Sequence, residues 1–171
     1  HIGFILLGIM RYQLMSEGTL FFYLIIYLIT TFGIFAIILN LRTVDGEITK
    51  ISDLNGLRFT SRPKAIALLV FLFSLAGIPP FAGFFAKFFI LSASVNEGLY
   101  ILSIIAVISS VIAAFYYLSV IKNMFFNESK TELLLDNNKI SSVVFIVSAL
   151  FVTLFFFYPD PLIDLVDILF S

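Results

Sequence analysis

The chain has 171 residues, 61% of them hydrophobic and 12% charged, with a formal net charge of -1. Soluble domains are near half apolar and a quarter charged, so this composition belongs to an integral membrane protein. With no cysteine and a single histidine at position 1, disulfides, thiol chemistry and a multi-histidine metal or haem site from this chain alone are excluded, and the lack of a basic excess excludes nucleic acid as a partner.

In chain order, the apolar pattern predicts an all-α, polytopic membrane helix bundle of about five segments. Residues 2–15 open with some ten apolar residues before Arg11, about half of what a spanning helix needs. They read as the second half of a helix whose first half lies elsewhere. Residues 19–41 form an uncharged span. A polar loop follows, with turn signals at Asp45-Gly46 and Asn55-Gly56 and a proline at 63 suited to a helix start.

Residues 65–95 are the unusual segment. Fully helical, they would be about 46 Å long against a hydrocarbon core of about 30 Å, so a discontinuous helix is expected. The break is predicted at Gly77-Ile78-Pro79-Pro80, where each proline removes a backbone donor and frees carbonyls that hydrocarbon cannot satisfy. Lys87 follows within the same apolar run. A charged amine at membrane depth costs about 2.5 to 3.5 kcal/mol on insertion scales and points to function. Broken helix plus buried ionisable group is the pattern of ion- and proton-handling proteins. Residues 99–122 and 140–158 complete the membrane domain, 1–158. Pro159-Asp160-Pro161 then opens a tail, 159–171, whose aspartates at 164 and 167 share one face of a short interfacial helix.

Eight of the ten basic residues fall on one side of this topology: Arg42, Lys50, Arg58, Arg62 and Lys64 in one loop, and Lys122, Lys130 and Lys139 in the other. By the positive-inside rule, loops 42–64 and 122–139 face the cytoplasm or matrix and the C-terminus lies opposite.

Two readings of Lys87 stand side by side. In one it gains and loses a proton, since a lysine taken out of water holds its charge less firmly. In the other it snorkels toward the nearby Asn96-Glu97 end of its helix. Gly77, Pro79 and Pro80 either open the helix to water or merely kink it for packing. Thr30, Thr31, Ser74 and Tyr116 are candidate water-binding hydroxyls, although membrane hydroxyls more often bond to their own helix backbone. No flavin, nicotinamide or iron–sulfur ligand pattern is present.

Asp53-Leu54-Asn55-Gly56-Leu57, Arg62-Pro63-Lys64-Ala65 and the run from Ser74 through Gly77-Ile78-Pro79-Pro80 to Gly83-Phe84-Phe85-Ala86-Lys87-Phe88 closely resemble subunit 2 of the mitochondrial NADH:ubiquinone oxidoreductase, respiratory complex I. Tyr27-Leu28-Ile29-Thr30-Thr31-Phe32-Gly33 is similar to the preceding helix of that family, and His1-Ile2-Gly3-Phe4 to its His-x-Gly-Phe/Tyr motif. The likeness is strong over residues 1–95 and rests on hydropathy beyond. It implies an antiporter-like, proton-pumping fold of about fourteen helices in two inverted repeats, of which this chain is similar to helices ten to fourteen.

The resemblance further implies proton transfer at Lys87 and at His1, a place in the mitochondrial inner membrane with the C-terminus in the intermembrane space, and other membrane-arm subunits and lipids as partners. A separate polypeptide supplying the preceding helices is expected, as in a split subunit. NADH, FMN, iron–sulfur clusters and ubiquinone are expected elsewhere in the complex, and no cofactor or metal in this chain. The alternatives are a non-conducting scaffold fragment, or a subunit of a related cation/proton antiporter or plastid dehydrogenase.

Overall fold

A computed structural model of the chain describes residues 1–10, 17–44, 46–128, 133–135, 138–159 and 168. The helices are α1 (Ile2–Ile9), α2 (Glu17–Ile38), α3 (Leu57–Thr60), α4 (Arg62–Ala76), α5 (Ala82–Asn96), α6 (Tyr100–Phe126) and α7 (Lys139–Leu154), with a short 3-10 turn at Ile51–Leu54. Of the described helices, the stretches Gly18–Ile38 and Tyr100–Phe126 are each long and apolar enough to cross a membrane alone.

The all-α expectation needs correction. The two polar loops hold a small sheet of β1 (Leu41–Thr43), β2 (Gly46–Glu47) and β3 (Leu133–Leu135), in the order β2-β1-β3. β1 runs antiparallel to β2, with Arg42 opposite Glu47, and antiparallel to β3, with Leu41 opposite Leu135 and Thr43 opposite Leu133. Short strands flanked by polar residues give little periodicity, which is why this pairing escapes a hydropathy reading. Its consequence is topological: the loop after α2 and the linker after α6 lie at one end of the bundle. The Gly56 N–H, donating to the Asn123 carbonyl at 3.3 Å, adds a second tie at that end.

Helix ends also depart from expectation. α2 stops at Ile38 rather than 41, because Asn40 folds back to donate to the Ala36 carbonyl at 3.1 Å and Leu41 enters β1. α6 continues to Phe126, past the expected end at 122, since Lys122 costs a helix almost nothing and Asn123 little. α7 ends at Leu154 and turns follow as far as Phe157, short of Pro159. The expected helix 2–15 is described only to Ile9, and the expected interfacial helix of the tail lies outside the described residues apart from Pro159 and Ile168.

The core forms where α2 packs against α7, α4 and α5, and α4 against α6. Ile26, Ile37, Leu68, Phe71, Ile90, Met124 and Val152 are fully buried there. Gly33 makes room for one of them: a Cβ at this position would collide with the Phe71 ring. The Ser141 hydroxyl donates to the Ala36 carbonyl at 2.7 Å and ties α7 to α2. Along α6, by contrast, Ile101, Ile104, Ile108, Val111, Ile112 and Phe115 are exposed. So large an apolar face is what a lipid- or helix-facing surface requires, and a water-soluble monomer rarely carries one.

Candidate functional site

The predicted break lies between α4 and α5. Gly77 ends α4 with φ of 82°, a left-handed conformation that favours glycine. Its N–H bonds to the Phe73 and Ser74 carbonyls, and the Ile78 N–H returns to Phe73 at 3.0 Å. The next two helical acceptors are Leu75 and Ala76. In a continuous helix their donors would be the amides four residues on, which here are Pro79 and Pro80 and carry no hydrogen.

Lys87 supplies what the prolines lack. Its ammonium donates to the Leu75 carbonyl at 2.8 Å and the Ala76 carbonyl at 3.2 Å. A third bond reaches the Ser110 hydroxyl on α6 at 2.7 Å, so all three donors of an ammonium have an acceptor. The Phe4 ring of α1 lies 5.5 Å from Nζ, within cation–π range. Lys87 is only 7% exposed. The side chain folds back onto the break instead of reaching toward Asn96 and Glu97, so the geometry differs from snorkelling. Carbonyls, a hydroxyl and a ring face surround it, with no carboxylate among these contacts.

The start of α5 is held from the same side. The Ser74 hydroxyl accepts from the Gly83 N–H at 3.0 Å, one of the amides that the first turn of a helix leaves unpaired. Only glycine fits at 83, because a Cβ there would meet the Ser74 carbonyl.

His1 lies across a cavity from Lys87. Its Nδ1 is 2.8 Å from the Tyr23 hydroxyl and its Nε2 3.1 Å from the Tyr117 hydroxyl, and its ring stacks on Tyr27 at 5.0 Å. Tyrosine hydroxyls donate or accept, so the clamp suits neutral and charged imidazole alike. A cavity of about 300 Å³, bordered by His1, Phe4, Lys87, Ala106, Ser109 and Ser110, opens between α1, α5 and α6. A second space of about 10 Å³ lies deeper, among His1, Tyr27, Thr30, Ser74 and Lys87.

Of the sequence candidates, the structure thus gathers Lys87, His1, Thr30, Ser74 and the break at Gly77, Pro79 and Pro80. The Thr30 hydroxyl donates to the Ile26 carbonyl at 2.7 Å, the ordinary fate of a helical threonine. Thr31 is half-buried and borders none of the cavities beside Lys87. Tyr116 is 63% exposed and outside the cluster, whereas its neighbour Tyr117 is inside it. Ser110, Tyr23, Tyr27 and Tyr117 were not legible as site residues. The one available signal was the 3.6-residue period of α6, which puts Ser110 and Tyr117 seven residues apart on one face. Lys64 is buried at the start of α4, not displayed on the basic loop surface.

A helix bundle with a proline-broken helix, a buried lysine on the freed carbonyls and a cavity beside it shares the architecture common among ion- and proton-handling membrane proteins. The description of the NADH:quinone oxidoreductase/Mrp antiporter membrane family matches residues 1–113, and the chain belongs to that family. NADH-quinone oxidoreductase subunit N of Rhodospirillum rubrum is 42% identical over 164 residues, 96% of this chain and 34% of that protein. NADH-ubiquinone oxidoreductase chain 2 of Oenothera berteroana is 39% identical over 165 residues, 95% of this chain and 33% of that one. Sequence likeness therefore extends well past residue 95, where only hydropathy was expected to agree. A chain of respiratory complex I from Thermus thermophilus shares the fold, with a TM-score of 0.77 at 22% identity over 87% of this chain and 34% of that chain. The chain spans about a third of the length of these relatives.

Proposed function

We propose that this chain is the C-terminal part of the subunit N/chain 2 component of respiratory complex I, and that it carries one station of a proton path coupled to NADH:ubiquinone oxidoreduction. The observation that carries the reading is the Lys87 ammonium, buried at a proline break and bordering a cavity shared with His1. A cation in that position costs free energy that a purely apolar helix would avoid. Lys87 is the proton carrier and His1, between two tyrosine hydroxyls, a relay. Redox chemistry with NADH, FMN, iron–sulfur clusters and ubiquinone belongs to other subunits. The remaining helices of a subunit of the relatives' length, other membrane-arm subunits and lipid cover the exposed face of α6. In a mitochondrial inner membrane the end bearing the β1–β3 pairing faces the matrix, because the basic loops meet there.

The test is Lys87→Met in the intact complex. Proton uptake by sealed inverted vesicles during NADH oxidation falls, while the amount of assembled complex and its NADH oxidation with an artificial acceptor persist. Unaltered pumping rejects the reading.

The complete set of acceptors around Lys87 supports one rival, in which the lysine is a static pin for the broken helix. Under that rival, Lys87→Met reduces assembly and leaves pumping per assembled complex intact.

A further inference from the structure

The three acceptors around Lys87 are unequal in kind. Leu75 and Ala76 offer backbone carbonyls, which only accept, whereas Ser110 offers a hydroxyl, which accepts or donates. An ammonium has three N–H groups and needs three acceptors. A neutral amine has two N–H groups and a lone pair, so it needs two acceptors and one donor. With both carbonyls retained, the lone pair faces Ser110, and rotation of one hydroxyl satisfies the neutral form with no heavy atom displaced.

The surroundings of Ser110 suit this exchange. Elsewhere in the bundle, the hydroxyls of Thr30, Ser94, Ser103 and Thr153 donate to the carbonyl four residues back. Ser110, in α6, instead accepts from Lys87, and it borders the cavity of about 300 Å³ together with Ser109 and His1. Most of the cavity wall is apolar, so His1, Lys87, Ser109 and Ser110 are the groups that hold water there. The other two acceptors of Nζ are backbone carbonyls, which carry no exchangeable proton.

We propose that Ser110 is the proton port of Lys87 toward this cavity, the hydroxyl through which the amine exchanges protons with the space that both residues border. The inference rests on the proton-carrying reading of Lys87 and adds the route. In loading, a hydronium in the cavity gives a proton to Ser110 Oγ as the proton already on Oγ passes to the Nζ lone pair. Two O–H bonds break, one in the hydronium and one at Oγ, while a new O–H bond forms at Oγ and an N–H bond forms at Nζ. The positive charge moves from the cavity to Lys87, and the serine ends as the neutral hydroxyl it was. Release into this cavity is the reverse, with cavity water as the acceptor.

The experiment compares Ser110→Thr and Ser110→Val with Lys87→Met in the assembled complex, in sealed inverted vesicles, reading protons taken up per NADH oxidised. Threonine and valine have nearly the same shape and differ by the hydroxyl, so packing effects on assembly cancel between them. Threonine is expected to keep pumping near the parent level, and valine to lose as much of it as Lys87→Met does. Valine added to Lys87→Met should cost nothing further, because both changes interrupt one step. Normal pumping by Ser110→Val with impaired Lys87→Met overturns the port and leaves the lysine's role standing. Equal loss in threonine and valine also overturns it, since the hydroxyl is then irrelevant. Normal pumping by Lys87→Met removes the underlying reading, and the port with it.

Discussion

Lys87 donates to the Leu75 carbonyl at 2.8 Å, filling the position of the amide hydrogen that residue 79 lacks because it is proline. The break and the lysine are therefore one device. Each offsets the other's cost, since a freed carbonyl and a buried ammonium are both expensive in hydrocarbon and cheap together.

Gly77→Ala should loosen this device from the backbone side. At φ of 82° a Cβ is strained, and it would also stand 3.1 Å from the Lys87 side chain. A cost of about 1 to 2 kcal/mol is expected for an L-residue held in the left-handed region. Thermal unfolding of the purified complex, or of the subunit within it, measures the loss. An unchanged midpoint contradicts the assigned backbone.

Gly83→Ala acts on the other half of the broken helix. Its methyl group would meet the Ser74 carbonyl, a backbone atom that cannot swing aside, and overpacking of this kind costs about 1 to 3 kcal/mol. Reduced assembly is expected together with faster amide exchange at the first turn of α5. Normal exchange protection there rules the contact out.

The pairing of the two loops is open to cross-linking, because the chain has no native cysteine. Leu41 and Leu135 are directly opposed in the β1–β3 register, where Cβ atoms of opposed residues are about 4.5 to 5.5 Å apart. A Leu41→Cys, Leu135→Cys pair should oxidise readily to a disulfide and a Leu41→Cys, Leu133→Cys pair slowly, as read by mobility after a protease cut between the two loops. The reverse order would mean a different register.

Asp53 lies in the loop after α2 and is expected to make that loop sensitive to acid. Its carboxylate accepts the Lys50 N–H at 2.9 Å and the Thr49 N–H at 3.1 Å, and these bonds hold the carboxyl below its ordinary range. A group whose folded value is depressed contributes stability above its unfolded value, about 3.9 for aspartate. That contribution is lost as the pH falls through the lower folded value. Protection of the Thr49 and Lys50 amides, corrected for intrinsic exchange, should therefore persist at pH 5 and fade below pH 4. Asp53→Asn should flatten the profile.

Much of this architecture was legible in the sequence because membrane helices announce themselves by composition and prolines by their missing donors. Gly77, Pro79, Pro80 and Lys87 marked the break and the amine without any tertiary information. What pairs with the amine was not legible. Ser110 lies on another helix, 23 residues further on, and a lone serine in an apolar span has no sequence signature that separates it from Ser94 or Ser103, which bond only their own helix. The His1 clamp failed for the same reason: Tyr23 and Tyr117 meet the imidazole across three helices, and Tyr116 was the wrong neighbour of the right one. The sheet was missed because three-residue strands carry no periodic pattern.

The exchange of a proton at Lys87 can be separated from its charge and its bonding by Lys87→Arg. A guanidinium keeps the positive charge and donors for the Leu75 and Ala76 carbonyls, yet it does not deprotonate in proteins. A proton-carrying Lys87 requires that the arginine variant assemble, oxidise NADH with an artificial acceptor, and take up fewer protons per NADH than the parent. Full proton uptake by the assembled arginine variant would contradict it.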